Sequence, residues 1–459
     1  MTNTSFEALG LSQPWLDNLE HLEYHDMTPI QAQALPVLFE GGDVMGHAST
    51  GTGKTAAFGL ALLDKITPGS LLPGALVLCP TRELATQVAE EIRRLAWALP
   101  NTNVVTICGG RPIKGQIASL EGGVDVVVGT PGRVLDHIER ETLTLLNVKT
   151  LVLDEADRML DMGFIDDVAK IIEATRDDRQ TVLMSATMTD EVREVSERFQ
   201  KDATYISVID EEESPDITQL VYDIGELGRI DALQRVLGYH RPESAVIFCN
   251  QRDTCEEVVV ALRDAGHSAQ TMHGGLEQRE RDDVLVLFSN GSLRYLVATN
   301  VAARGIDINE LDAVINYELP RDQNAYVHRI GRTGRAGDEG KAISLISGRE
   351  RNKLAKYDEE LAGAKPRSAE ALPSDYDAPA PAENMTVALL GGRKDKLRPG
   401  DIVGALTGDI GIPNETIGLI TIRDTISFVA IRSDYAQKAL QGFKHGQVKA
   451  KNFRAFFVR

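Results

Sequence analysis

This chain is poor in the residues that cross-link a protein, anchor it in a membrane or draw it to a polyanion. Only four of its 459 residues are cysteine, and Cys79, Cys108, Cys249 and Cys255 form no CxxC pair. A disulfide scaffold and a zinc ribbon are thereby excluded, and buried free thiols are expected, since Cys79 and Cys249 close apolar runs. His21 and His25 stand four apart, but no HExxH and no nearby third ligand accompany them, so no metal is expected there. No run approaches the about 18 apolar residues needed to cross a bilayer. The opening MTNTSFEALG lacks the basic and apolar regions of a signal peptide, so a cytoplasmic location without membrane contact is expected. Positive charge is scarce as well: 49 Lys and Arg face 68 Asp and Glu, a net −19. Taken alone, that balance argues against a nucleic-acid partner.

The deficit is uneven. Residues 385–459 hold twelve Lys and Arg against six Asp and Glu, a local +6 that leaves the first 384 residues at −25. An acidic body carries a basic tail.

What the chain does have is length and rhythm. It exceeds the roughly 250–300 residues at which a single core stops growing, so two or three domains are expected. Apolar, β-branched runs alternate with helix-like stretches: ALVLCP, DVVVGTP, TLVLDEAD and TVLMSAT, then AVIFCN, RYLVATN, AVINYELP and KAISLIS. Continuous apolar strands between helices mean parallel sheets covered on both faces. The pattern predicts one unit over 1–206, an acidic linker at 207–217, and a similar second unit over 218–364. A linker rich in Ala, Pro and acid follows at 365–384, and then a basic domain over 385–459. Pro80-Thr81-Arg82-Glu83, Gly129 to Arg133, Asp154-Glu155, Ser185-Ala186-Thr187, Asn250 and Thr299 all fall just beyond apolar strands. In open parallel sheets that is where ligands bind.

Two distant groups of residues supply complementary parts of a phosphoryl-transfer site. In Ala48-Ser49-Thr50-Gly51-Thr52-Gly53-Lys54-Thr55 small residues let backbone N–H groups surround phosphate oxygens at a helix start. Lys54 would reach the β and γ phosphates, and Thr55 would place its hydroxyl on Mg²⁺. Asp154 and Glu155 end a strand, where adjacent carboxylates are costly without a cation. Asp154 is expected to hold Mg²⁺ through water, and Glu155 to orient and deprotonate the attacking water. HRIGRTGR brings three arginines, of which Arg332 and Arg335 are candidate arginine fingers for the γ-phosphoryl group, with a surface basic patch as the bland alternative. Asn250-Gln251-Arg252-Asp253 lacks the lysine of a guanine-reading NKxD, so GTP is not expected.

With these residues stand Thr28-Pro29-Ile30-Gln31 with Phe6 upstream, PTRELA, Gly109-Gly110, TPGR, HGGLEQRER and ATNVAARGID. In this combination the chain resembles the DEAD-box ATP-dependent RNA helicases over nearly all of residues 6–350. The resemblance implies two tandem RecA-like parallel-sheet domains, with ATP and Mg²⁺ as cofactors. It implies that Thr28 and Gln31 serve the adenine edge with Phe6 stacked on the base, that Gly305 and Asp307 face the nucleotide, and that Ser185 and Thr187 couple the phosphate site to strand opening. It further implies RNA-backbone contacts from Thr81, Arg82, Gly110, Thr130, Gly132, Arg133, Arg281 and Thr299, which bind without reading sequence. Glu23, Met27 and Gln251 depart from the family's usual Gly, Pro and Thr.

The basic tail reads βαββαβ, an α+β order like that of an RRM. Its central strand ISFVAIRS carries one aromatic, Phe428, which makes base stacking on the sheet doubtful. Phe453 and Phe457 share one face and Phe456 takes the other. With Gly391-Gly392-Arg393-Lys394 after its first strand, the module resembles the RNA-binding domain of the DbpA branch of the family. That resemblance implies docking on a hairpin of large-subunit ribosomal RNA within a pre-ribosomal particle, and a role in ribosome assembly. Lys394, Lys396, Arg398, Arg423, Arg432, Lys444, Lys449 and Lys451 are the candidate phosphate contacts. The leading expectation is a monomeric ATPase, stimulated by RNA, that opens short duplexes locally. RNA, single-stranded or in short duplexes, is the expected partner, and an ATP-locked RNA clamp that hydrolyses rarely and holds a ribonucleoprotein complex together is the alternative.

Overall fold

The computed structural model describes residues 4–49, 51–208, 217–300, 311–321, 323–334, 340–348, 350–354, 357, 366–376 and 378–458. Thr50, Gly305, Asp307 and Arg335 lie outside the described residues. Packing divides the chain into two compact units whose boundary falls within the acidic stretch, after Glu213, and the basic tail belongs to the second.

The first unit is built on seven parallel strands: β1 (Val44–His47), β2 (Ala75–Leu78), β3 (Val104–Ile107), β4 (Val126–Gly129), β5 (Thr150–Asp154), β6 (Gln180–Ser185) and β7 (Thr204–Ser207). Their spatial order is β3-β4-β2-β5-β6-β1-β7. Alternate residues feed two cores. Val77, Val128, Val152 and Val182 point to one face, and Leu78, Val127, Leu153 and Leu183 to the other. Helices cover both faces, which is why these strands read as continuous apolar runs.

The second unit repeats the plan with β8 (Ile217–Asp223), β9 (Ala245–Cys249), β10 (Ala269–Met272), β11 (Tyr295–Thr299), β12 (Ala313–Asn316), β13 (Gly340–Ile346) and β14 (Arg367–Ser368). Its order, β10-β11-β9-β12-β13-β8-β14, is the first order with seven added to every strand number. The two α/β units read from the sequence are therefore one RecA-like plan used twice. The last strand comes from the segment read as a linker. That segment runs on across the unit, where Arg235 donates to the carbonyls of Glu370 and Leu372 and Arg294 donates to that of Ala380.

The basic tail forms an antiparallel sheet, β16-β17-β15-β18, from β15 (Asn384–Leu389), β16 (Ile417–Ile422), β17 (Ser427–Arg432) and β18 (Ala455–Phe457). Val387, Leu389, Val429, Ile431 and Ala455 face the helix Ser433–His445, whose Ala436, Leu440 and Phe443 complete that core. Phe453 and Phe457 pack against it, while Phe456 and Phe428 lie on the opposite face. All four cysteines are buried free thiols.

Candidate nucleotide and RNA site

The phosphate loop joins β1 to the helix Lys54–Lys65. Gly51 and Gly53 adopt φ of +84° and +89°, left-handed values that turn the loop around its own backbone. A Cβ on Gly53 would also collide with the Gln31 amide and the Thr28 hydroxyl, so the residues expected at the adenine edge pack directly on the loop. Gln31 is fully buried; its amide donates to the Gly53 carbonyl at 3.1 Å and its oxygen accepts from the Thr28 N–H at 2.9 Å. Phe6 is buried and meets Tyr24 edge to face at 6.5 Å.

Lys54 is 6% exposed and donates to the Ala48 carbonyl at 2.6 Å. Burial pulls its ammonium down, and Asp154, Glu155 and Asp157 oppose that pull. Asp154, at the end of β5, is pushed up to about 7 by burial, with the Lys54 charge acting against the rise and Glu155 adding to it. The Asp154 carboxylate at the strand end and the hydroxyl of Thr55 in the first turn of the loop's helix are hard oxygen donors of the kind that fits Mg²⁺. Among the described residues no cluster of three His, Cys, Asp or Glu forms a separate metal site.

Glu155 adopts φ +53°, a left-handed conformation in a residue other than glycine, which turns its side chain off the strand axis. Its carboxylate accepts from Arg158 at 2.8 Å, and both side chains are almost wholly buried. Sequence reading missed Arg158; the signal was its place three residues after Glu155 on a helical turn, a spacing at which opposite charges meet. Asp157 accepts at one oxygen from both the backbone N–H and the hydroxyl of Thr187, at 3.0 and 2.8 Å. Ser185 donates to the Thr187 carbonyl at 2.7 Å. The carboxylate run and the Ser-Ala-Thr segment are thus one hydrogen-bonded body.

The RNA candidates of this unit gather beyond β2, β3 and β4. Thr81 caps the helix Arg82–Leu95 by accepting from Leu84. The Arg82 guanidinium lies flat on Gly109 and Gly110, and a Cβ at Gly110, whose φ is +78°, would overlap it. Thr130 precedes the helix Pro131–Glu139, which begins with Pro131 and Gly132. Arg133 donates to the Arg111 carbonyl at 3.1 Å and to Gln116 at 3.3 Å, tying that helix to the turn after β3.

In the second unit, Arg281 stands on the helix Gln278–Ser289 and Thr299 ends β11. Arg329 is the hub of a web: it donates to Asn300 at 2.6 Å, Asn316 at 2.9 Å, the Glu318 carbonyl at 2.6 Å and Asn250 at 3.0 Å, and lies 4.9 Å over the Phe248 ring. It holds strand ends together. Arg332, 7% exposed, stands one turn further along.

In the tail, Lys394, Lys396 and Arg398 are exposed after β15, and Lys449 and Lys451 before β18. Lys449 joins the two loops by donating to the Lys396 carbonyl at 2.8 Å and to Asp401 at 3.3 Å. Lys396 and Lys449 both adopt left-handed φ, +60° and +53°, so the basic end of the domain is a shaped surface. The Arg423 carbonyl accepts from the Arg393 N–H at 2.9 Å beside the loop after β15, while the Arg423 guanidinium donates to the Asp282 carbonyl at 3.3 Å, and Arg432 is paired with Asp434 at 2.8 Å.

Comparison with known proteins agrees with this chemistry. Residues 28–195 match the DEAD/DEAH box helicase family, 228–337 the helicase conserved C-terminal domain, and 386–455 the DbpA RNA binding domain. The chain is 46% identical over 457 residues to the ATP-dependent RNA helicase DbpA of Escherichia coli, covering 99% of this chain and 100% of that one. It is 44% identical over 352 residues to the DEAD-box ATP-dependent RNA helicase CshA of Bacillus cereus, covering 76% of this chain and 67% of the relative. The solved structure of S. cerevisiae Dbp5 bound to RNA and ADP BeF3 matches with a TM-score of 0.70 at 32% identity, over 81% of this chain and 96% of that one. With a phosphate loop, a paired carboxylate run and a basic tail of the matching kind, the chain belongs to the DEAD-box ATP-dependent RNA helicases, in the branch that carries a DbpA RNA binding domain.

Proposed function

We propose that this helicase opens short RNA duplexes locally, with ATP hydrolysis stimulated by RNA, while its tail domain anchors it on large-subunit ribosomal RNA during ribosome assembly. It acts as a cytoplasmic monomer. The observation that carries the reading is the double hydrogen bond from Thr187 to Asp157, which links the carboxylate run at the nucleotide to the Ser-Ala-Thr segment. A nucleotide that moves the first moves the second.

Gly51, Gly53 and their neighbours cradle the phosphates, Lys54 neutralises them, and Gln31 and Phe6 serve the adenine. Thr55 and Asp154 would hold Mg²⁺, which supplies charge neutralisation at the β and γ oxygens when bound. Glu155 leaves Arg158 to take the proton of the attacking water. Arg332 and Arg335 complete the set from the second RecA-like domain, so RNA that engages both domains raises turnover. Arg82, Gly110, Thr130, Gly132 and Arg133 grip backbone from one domain, and Arg281 and Thr299 from the other.

Glu155→Gln is the decisive variant. It keeps the shape and the hydrogen-bonding reach of the side chain and removes the base, so phosphate release should fall by about 10²–10⁴ with ATP binding retained. Undiminished turnover sinks the assignment. For the anchor, Lys449→Glu with Lys451→Glu should abolish any preference of ATPase stimulation for large-subunit ribosomal RNA over oligouridylate, leaving the oligouridylate response in place.

A further inference from the structure

The turn after β3 carries Gly110, a candidate RNA contact, and hydrogen bonds from two neighbouring helices hold it at both ends. Gln116, on the helix Ile113–Glu121, donates from its amide nitrogen to the Cys108 carbonyl at 2.8 Å, just before Gly109. Arg133, on the helix Pro131–Glu139, donates to the Arg111 carbonyl at 3.1 Å, just after Gly110. The two holders are joined to each other, because the Gln116 oxygen accepts from the Arg133 guanidinium at 3.3 Å.

Behind them stands His137, 0% exposed. Its Nε2 lies 3.1 Å from the same Gln116 oxygen and its Nδ1 2.8 Å from the Thr142 hydroxyl. The neighbours fix the protons. A main-chain carbonyl only accepts and a guanidinium only donates, so the Gln116 amide has one orientation, nitrogen toward Cys108 and oxygen toward Arg133. The Nε2 that meets that oxygen therefore carries hydrogen. Burial, and after it the Arg133 charge, holds the imidazole below its ordinary pKa, so the ring is neutral and Nδ1 accepts from Thr142.

The nucleotide chemistry uses neither side chain, and both are too deeply buried to meet a ligand, Gln116 at 7% exposed. Leucine and methionine would fill the same volume without the cost of burying an amide and an imidazole. What the polar pair supplies is direction: every hydrogen bond it makes inward ends on the turn of Gly109 and Gly110, on Arg133, or on the loop that follows the Arg133 helix.

We propose that Gln116 and His137 are positioning residues for RNA: neither touches the strand, and together they set the Gly109-Gly110 turn and the Arg133 guanidinium at a fixed spacing before RNA arrives. The proposal rests on the reading of Gly110 and Arg133 as backbone contacts. A grip ordered in advance spares RNA the cost of ordering it, so loss of the pair shows in the RNA concentration needed and not in the rate once RNA is bound.

The test titrates ATP turnover of the full chain with oligouridylate. Gln116→Leu removes the donor to Cys108 and the acceptor for Arg133, and half-saturating RNA should rise on the order of tenfold. Turnover at saturating RNA and the KM for ATP should stay at parent values. His137→Met, which fills the space of the ring with no donor, should shift half-saturation in the same direction. His137→Gln, whose amide nitrogen reaches the place of Nε2, should restore it. In an Arg133→Ala background Gln116→Leu should add less than it does in the parent, as expected of residues that act through one another.

Parent-like half-saturation in Gln116→Leu and His137→Met overturns the proposal. So does lost turnover at saturating RNA with half-saturation unmoved, or a His137→Gln variant no better than His137→Met. Should Gln116→Leu fail to fold, the two His137 variants decide. Failure of the underlying reading shows separately, as Arg82→Ala and Arg133→Ala chains that saturate at the parent's RNA concentration.

Discussion

The two parallel sheets share one strand order and end in opposite chemistry. The last residue of β5 is Asp154, whose carboxyl is pushed up to about 7 by burial although the Lys54 charge opposes the rise. The last residue of the corresponding β12 is Asn316, equally buried but neutral, and it accepts from the guanidinium of Arg329. One sheet ends in buried carboxylates, and the other holds an arginine whose acceptors are already in place. A plan used twice can thus carry different chemistry, because function is written at strand ends and the strands themselves are interchangeable filler.

The sharpest way to break this comparison is to remove Arg329 and Arg332 of the second unit in turn. Arg332→Ala should cost ATP turnover about 10³-fold, the scale of a missing finger, with ATP binding by the first unit retained. Arg329→Ala should instead lower stability, because buried Asn316 loses its donor at about 1–3 kcal/mol for an acceptor left buried and unpaired, and the Glu318 carbonyl loses one as well. If the two variants behave alike in calorimetry and in phosphate release, the division into finger and frame is wrong.

A second prediction opposes the sheets by pH. Asp154 rises from 3.8 to about 7 on folding, so between these values the folded state holds the extra proton, and the nucleotide-free first unit loses stability as pH climbs from about 4 to 7. His240 beside Tyr222 falls from 6.5 to about 4 through burial, so there the unfolded state holds the extra proton, and the second unit loses stability as pH drops from about 6.5 to 4. Amide exchange read separately over β5 and β8 should show slopes of opposite sign. Asp154→Asn should flatten the first and leave the second.

The smallest effect belongs to the tail. Lys451→Ala removes one exposed charge from the basic loops and should shallow the salt dependence of ribosomal RNA binding by about one ion while leaving ATP turnover on oligouridylate alone. A parent-like salt slope would remove Lys451 from the RNA surface.

Much of this was legible in the residues. The glycines and lysine of the phosphate loop, the Asp154-Glu155 pair and the arginine-rich HRIGRTGR declare their chemistry by type and spacing, and apolar runs ending in polar residues located the strand ends. What stayed hidden depends on partners scattered through the chain. Nothing marks Asn250, Asn300 and Asn316 as acceptors of one guanidinium until folding gathers them. Alternation in β15 and β17 showed two apolar faces, but an apolar face reads the same whether a base or a protein domain covers it. The segment at 365–384 looked like a spacer because Pro and Ala suppress periodicity, although two of its residues complete a sheet.

Those two residues guard a border. Arg367 and Ser368 pair in parallel with Tyr222 and Asp223, capping the side of β8 that would otherwise stand open. A chain cut before Arg367 keeps every residue proposed for the nucleotide site yet bares that strand's amides and carbonyls to its neighbours. Such a fragment should self-associate, and its minimal soluble form should extend past these two residues.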